Sequence, residues 1–129
     1  MSEKHVVTVT SAVDPDWIAF CTNNSDIFMR SYCGYWLRGV ESDKVRGLLV
    51  WEDNEQHAPG DEPNRREAIR AWKKGEPLPA GWHRLDTAVA VKAWGVGVLT
   101  WGEMWYAEGD ADRYDYVIQK ALFGEQRYG

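Results

Sequence analysis

Residues 87–106 constrain the fold of this chain more than any other segment, because most of their side chains are apolar or glycine. Arranged as a helix, they present two neighbouring apolar stripes and leave a polar sliver of only Lys92, Thr100 and Glu103. Strands suit the same composition equally well, since each of the three internal glycines costs a helix about 1 kcal/mol. We favour the helix, and a helix with so narrow a polar side is buried on most sides.

The same segment is nearly long enough to cross a bilayer, but Lys92 and Glu103 lie inside it. The chain has 129 residues, 44% hydrophobic and 27% charged, which is typical of a single globular domain, residues 1–129. Its first ten residues show no positively charged region followed by an apolar stretch, so no secretory signal is expected. We therefore expect a cytoplasmic protein with no membrane partner, in which Cys21 and Cys33 are reduced core thiols.

Four short segments are candidates for strands. Residues 35–40 and 45–51 are rich in aromatic and branched side chains, and residues 41–44 between them suit a turn, which predicts an antiparallel hairpin. Residues 82–85 predict a third strand, and the alternating Val and Thr of residues 5–10 predict another.

Residues 111–123 are the clearest helix in the sequence. Their apolar side chains recur at i, i+3 and i+4. Asp110 or Asp112 supplies the amino-terminal cap, and Gly124 marks the end of the helix.

Two further helices are marked by their ends. Asp14 followed by Pro15 is a typical helix start, and apolar side chains continue at helical spacing to Phe28. Residues 63–74 form the other helix, which Gly75 terminates. Together the elements predict an α+β fold, in which a small antiparallel sheet of two to four strands packs on one face against about three to four helices.

The chain carries eight tryptophans, which is high for its length. Trp17 and Trp72 are expected to anchor two separate helices. The other six fall in the predicted strands and in residues 87–106, where a helix lying on the sheet would gather them into one aromatic layer. Such a layer is either a core of large side chains or a pocket or partner surface. The candidate ligand or partner surface consists of Tyr35, Trp36, Trp51, Trp82, Trp94, Trp101 and Trp105.

Residues 63–74 carry five basic side chains against one acid, in a chain of net charge -5. Basic side chains beside Trp72 can bind nucleic acid by phosphate contact and stacking, or dock on an acidic protein. A solvated helix face accounts for the pattern better, and the acidic net charge argues against nucleic acid as the partner. The basic patch consists of Arg65, Arg66, Arg70, Lys73 and Lys74.

Acidic blocks oppose this basic patch. Residues 52–62 contain five acids and no Lys or Arg, and residues 103–115 contain five acids and one arginine. Opposite charges of this kind attract one another within or between molecules. Together with the glycine-spaced apolar segment, they suggest self-association into a homo-oligomer.

Two histidines are candidates for chemistry. His57 ends an acidic run that includes Glu52 and Asp53, and these ligand types could share a divalent metal, but the spacing matches no established metal loop. His83 precedes Asp86 by three positions, as an acid/base pair could, but the sequence places no Ser or Cys nucleophile beside it. We therefore expect no metal, no cofactor and no catalytic residue, and favour a non-enzymatic role.

Two stretches resemble a known group of proteins. Residues 31–40, SYCGYWLRGV, are similar to a GGxGYWARV-like segment, and residues 114–129, YDYVIQKALFGEQRYG, to a DVIVQLALFGEIVYG-like carboxyl terminus. Both are features of uncharacterised small phage and prophage proteins, often of actinobacteriophages. This chain departs from them at Tyr32, in place of the first glycine, and at Gln126 and Arg127, in place of an apolar pair. The resemblance implies a phage or prophage origin and brings no activity with it.

The sequence favours a non-enzymatic binding protein, a phage-encoded accessory factor that acts on a host protein in the cytoplasm. The missing catalytic constellation, the acidic charge and the aromatic content all point this way. One alternative is a protein that binds a small nucleotide-like ligand in an aromatic pocket. The other is a weak nucleic-acid binder that uses the basic helix at residues 63–74.

Overall fold

The structure, a computed structural model, describes residues 12–23, 32–53, 58 and 60–129. Its described elements are four helices and three strands, which confirms the predicted α+β class. The strand predicted at residues 5–10 and the region around His57 lie outside the described residues. In chain order the elements are α1 (Pro15–Thr22), β1 (Leu37–Asp43), β2 (Gly47–Glu52), α2 (Arg65–Lys74), β3 (Trp82–Leu85), α3 (Thr87–Trp101) and α4 (Ala111–Phe123).

The three strands form one antiparallel sheet in the order β1-β2-β3. The hairpin turns later than predicted, at residues 44–46, because the Asp43 carboxylate accepts the amides of Val45 and Arg46 at 2.9 and 2.6 Å. Gly47 follows with a φ of +79°, and a Cβ there would lie 2.8 Å from the carbonyl oxygen of Leu85. A side chain at this position would therefore be strained and would push β3 away from β2.

The side chains of β2 alternate between two hydrophobic cores on opposite faces of the sheet. Leu48 and Val50 belong to the larger core, which α1, α3 and α4 cover. Leu49 packs instead with Trp72 and Trp82 in a smaller core beneath α2. The expectation that helices cover one face only is therefore wrong, because α2 crosses the other face.

Helix α3 confirms the helical interpretation of residues 87–101, but it ends at Gly102, which has a φ of +95°. It is buried on one side only, at Ala90, Ala93, Trp94 and Gly97. The prediction of burial on most sides is wrong, because no described element covers the face that carries Val91, 43% exposed, and Leu99, 61% exposed.

Gly97 is needed for the close approach of the chain that follows α3. A Cβ at this position would lie 2.3 Å from the indole of Trp105. That indole is fully buried and meets the rings of Trp17 and Trp94 edge to face at 5.2 and 5.3 Å. The glycine therefore lets three large rings pack together at the centre of the larger core.

The ends of the other helices follow the sequence only in part. Helix α2 begins at Arg65 and not at the predicted residue 63, and α1 ends at Thr22, while residues 24–28 of the stretch predicted to run to Phe28 lie outside the described residues. Asp14 caps α1 by accepting the amide of Asp16 at 2.9 Å, and Pro15 takes the first helical position. Helix α2 ends at Gly75 in the left-handed conformation, and α4 runs from its Asp110 cap to a left-handed Gly124.

Two further expectations, on the cysteines and on membrane-spanning helices, can be compared with the structure. Cys21 and Cys33 are both buried thiols that form no disulfide among the described residues, as expected of core cysteines, and burial raises the pKa of Cys33 well above its usual value. None of the helices in the described part of the chain is long and apolar enough to span a bilayer.

Candidate functional site

The centre of the candidate site is Asp115, a carboxylate that α4 turns towards the core. Spacing of i, i+3 and i+4 places it on the inward face with Ile118 and Gln119, and it is only 7% exposed. Its Oδ1 accepts hydrogen bonds from the indole N–H of Trp36 at 2.7 Å and from the side-chain amide of Gln119 at 3.0 Å. Its Oδ2 accepts a hydrogen bond from the hydroxyl of Tyr35. Three donors thus satisfy a carboxylate that would be costly to bury alone.

Two of these donors, Tyr35 and Trp36, lie in the turn that leads into β1. The amide of Trp36 donates to the carbonyl of Cys33 at 3.1 Å, and its own carbonyl accepts the amide of Asp53 at 2.7 Å. Burial and the bond to Asp115 raise the pKa of Tyr35, which keeps its hydroxyl protonated as a donor. The aromatic ring of Tyr35 nevertheless remains close to half exposed, at 48% for the residue.

Gln119 holds the carboxyl-terminal segment against this centre. Its Oε1 accepts the backbone amides of Arg127 and Tyr128, each at 2.8 Å, and its Nε2 donates to the carbonyl of Tyr128 at 3.1 Å. The residue is fully buried. Residues 126–129 are therefore fixed beside α4.

Tyr128 continues the connection to the sheet. Its ring stacks on Trp36 with centroids 5.1 Å apart and planes 13° apart, and its hydroxyl donates to Glu52 at 2.8 Å. Burial alone would raise the pKa of Glu52, but hydrogen bonds from His83 and Tyr128 and the charge of Arg127 hold it below its usual value. This cluster joins the end of β2 to the carboxyl-terminal segment.

His83 and Asp86, which the sequence offered only as a possible acid/base pair, have different partners in the structure. Asp86 caps α3 by accepting the backbone amide of Val89 at 2.9 Å. His83 Nε2 lies 2.8 Å from Glu52, 31 positions away. Strand β3 places His83 beside the end of β2, a neighbour that sequence spacing cannot show.

An open groove of about 670 Å³ lies beside this buried centre. Its walls combine four aromatic rings with charged side chains from the first two turns of α4. The residues that matter most for its chemistry are Tyr32, Tyr35, Trp101, Asp112, Arg113 and Tyr116. Gln126 and Gly129 also line the groove, so the clasped carboxyl-terminal segment forms part of one wall.

Trp101 forms one side of the groove, at the end of α3. The guanidinium carbon of Arg113 lies 4.9 Å from the centre of its ring, and Tyr116 meets it edge to face at 5.5 Å. Trp101 is nonetheless 37% exposed. The groove thus presents indole and phenol rings that are held in place and still reach solvent.

The structure separates the aromatic residues that the sequence grouped together. Tyr35 and Trp101 line the groove, and Trp36 supports it from below. Trp94 and Trp105 are buried in the larger core. Trp51 and Trp82 pack with α2 in the smaller core, on the other face of the sheet. The expectation that six tryptophans form a single layer is therefore wrong.

Sequence reasoning missed four of the residues that form the site: Tyr32, Arg113, Asp115 and Tyr116. Two signals were present. Tyr116 is an aromatic residue outside the apolar stripe of α4, and Asp115 is a polar residue within the face that carries Ile118. A large aromatic on a polar face and a carboxylate on a buried face both favour function over simple packing.

Two of the five basic side chains of the α2 patch lie close to acidic partners. Arg70 pairs with Glu67 and lies 3.0 Å from Glu76, while Arg65 lies 3.6 Å from Glu62. These contacts neutralise part of the positive charge that the sequence placed there. Nucleic-acid binding by this helix stays a prediction.

A second, smaller depression of about 400 Å³ lies at the carboxyl-terminal end of α2. Lys73, Lys74 and Arg84 line it beside Trp72. Arg84 donates to the carbonyls of Ala71 and Glu76 at 3.1 and 2.7 Å, so it satisfies backbone groups at the end of the helix. One of the basic side chains in this depression is therefore used at the end of α2.

Comparison with known protein families, with curated proteins and with solved structures found no match to this chain. The chemistry of the groove is therefore the basis for its assignment. Exposed rings of fixed orientation, one guanidinium and an exposed carboxylate are suited to non-covalent recognition.

Proposed function

We propose that this chain is a non-enzymatic binding protein, a phage-encoded accessory factor that binds a host protein in the cytoplasm through the aromatic groove. The observation that carries the proposal is that two partly exposed aromatic residues, Tyr35 and Trp101, line a groove beside the buried hydrogen-bonded cluster around Asp115. Trp, Tyr and Arg are the residue types that contribute most to protein interfaces. All three are present here within one groove.

The groove is organised before a partner arrives. The bond to Asp115 fixes the Tyr35 ring, and the contacts of Arg113 and Tyr116 fix Trp101. A side chain that is already ordered loses little conformational entropy on binding. This favours recognition at the groove over the exposed apolar face of α3, where Leu99 has no such support among the described residues.

The phage origin is supported by the resemblance in two segments, and the fold brings these segments together. Trp36 of the GYW segment stacks on Tyr128 of the carboxyl-terminal segment, and Asp115 bonds to both Trp36 and Gln119. The residues that carry the resemblance therefore build the support of the groove.

The proposal is tested by comparing the wild-type chain with Trp101→Ala and Leu99→Ala. Leu99→Ala is the matched control, because it removes an exposed apolar side chain from the same helix outside the groove. A host protein captured by the wild type is identified by mass spectrometry, purified and titrated against all three forms. Loss of an interface tryptophan is expected to weaken binding about tenfold or more.

Leu99→Ala is expected to bind as the wild type does. Equal affinity of the wild type and Trp101→Ala for the purified partner would contradict the proposal. Capture of no host protein by the wild type would also count against it.

A small nucleotide-like ligand is the second candidate for the same groove. Arg113 over the ring of Trp101 favours it, because a base can stack on the indole while the guanidinium meets a phosphate. A thermal-shift series with nucleoside triphosphates and cyclic nucleotides tests this candidate. A rise in Tm that disappears in Trp101→Ala would support it, and a flat response would remove it.

A further inference from the structure

Four aromatic side chains line the groove. Tyr35 is 48% exposed and Trp101 is 37% exposed, and the rings of Tyr32 and Tyr116 complete the walls. The face of an aromatic ring carries partial negative charge and attracts a cation within about 6 Å of its centre. Several such faces around one space are suited to a cationic group.

The molecule itself shows that one of these rings accepts a guanidinium. The guanidinium carbon of Arg113 lies 4.9 Å from the centre of the Trp101 ring. This is an internal arginine, and it leaves more than a third of Trp101 accessible. The wall of the groove therefore already contains one contact between a guanidinium and an aromatic ring.

The charges around the groove favour a positive occupant. Asp112 and Asp115 line it against the single cation Arg113. The stretch of sequence that contains these residues, 103–115, has five acids and only this one arginine. A local excess of negative charge attracts a basic group and repels a phosphate or carboxylate, which favours a basic segment of a protein over the nucleotide-like second candidate.

We infer that the groove binds the cationic side chain of an arginine or lysine, presented by an exposed basic segment of the partner protein. The inference rests on the proposed function and adds the chemistry of the ligand. The cation lies against the exposed aromatic rings, with Asp112 as its nearest exposed counter-charge. A basic segment on a second copy of this chain, helix α2, would present the same chemistry and is an outcome of the test.

The probes are two fluorescein-labelled peptides. The first has two arginines between glycines and serines, and the second is the same peptide with citrulline in place of each arginine. Citrulline has the shape of arginine without its charge. Fluorescence anisotropy against the wild-type chain is expected to give about tenfold tighter binding of the arginine peptide. Equal binding of the two peptides would overturn the inference.

Variants localise the binding. Trp101→Ala is expected to weaken the arginine peptide about tenfold, and Asp112→Asn a few-fold. Glu108→Gln is the matched control, because it removes one negative charge from the same acidic segment outside the groove lining. An arginine peptide that binds Trp101→Ala as well as the wild type would contradict the assignment to this groove.

The failures of the two proposals are distinguishable. If the host protein needs Trp101 but citrulline binds as arginine does, the cationic ligand is wrong and the binding function stands. If the arginine peptide needs Trp101 but the host protein does not, the binding function is wrong and the groove chemistry stands. Light scattering tests the remaining outcome. If the wild-type chain forms dimers and a Lys73→Glu, Lys74→Glu variant does not, the basic segment that enters the groove belongs to a second copy of this chain and not to a host protein.

Discussion

Helices α4 and α2 lie on opposite faces of one sheet and use their polar side chains in opposite ways. On α4, Asp115 and Gln119 are buried; Asp115 bonds to Trp36, 79 positions away, and Gln119 bonds to the backbone of the carboxyl-terminal segment at Tyr128. On α2, Arg70 and Glu67 are neighbours whose side chains are 43% and 54% exposed. Buried polar bonds fix a geometry, whereas exposed ion pairs contribute little to stability. The difference indicates that α4 organises a site and α2 covers a core.

The largest effect is expected from Asp115→Ala. This change removes the acceptor of the Tyr35 hydroxyl and of the fully buried Trp36 indole, and the loss of an acceptor is costly for a buried donor. Urea denaturation should show a loss of about 3 kcal/mol in the free energy of unfolding. Asp112→Ala, an exposed carboxylate on the same helix, is the control and should cost less than about 1 kcal/mol. Equal losses in the two variants would remove the contrast between buried and exposed groups.

A smaller effect is expected from Gln119→Ala. It removes the acceptor of the Arg127 and Tyr128 amides, which lie near enough to solvent for water to replace part of the loss. We expect a loss of about 1–2 kcal/mol, together with faster hydrogen exchange at these two amides. Lys120→Ala, a change at the next position of the same helix, is the control. Unchanged exchange at Arg127 and Tyr128 would show that Gln119 does not hold the carboxyl-terminal segment.

The site also predicts a dependence on acid. The pKa of Glu52 is lowered from 4.5 in the folded state, so its contribution to stability is complete above that value and is lost as the pH falls through the folded-state pKa. Because Glu52→Gln lacks this carboxylate, its Tm should fall less than the Tm of the wild type when the pH is lowered from about 6 to about 3, across the range in which carboxylates titrate. Glu125→Gln removes an exposed carboxylate near the same arginine and should respond to acid as the wild type does.

The smallest effect is expected on α2. Glu67→Ala breaks the pair with Arg70 on the exposed face of the helix. Screening by water and salt weakens such pairs, so Tm should stay within error of the wild type. A loss as large as that of Gln119→Ala would contradict the view that α2 carries its charges as a solvated face.

The local signals in the sequence were sufficient for most of the elements. The Asp110 cap and Gly124 end predicted α4, and residues 82–85 were correctly assigned as a strand, because caps, stops and periodicity act between near neighbours. The candidate site depends on pairs that are far apart along the chain. Trp36 and Asp115 are 79 positions apart, and no local pattern links them.

The most direct test of the central claim is a ¹⁵N–¹H spectrum of the indole N–H groups during titration with the arginine peptide. The eight tryptophans report on both faces of the sheet at once. We predict that the resonance of Trp101 shifts progressively while that of Trp72, beneath α2, stays in place. A shift at Trp72 with none at Trp101 would contradict the assignment of recognition to the groove on α4.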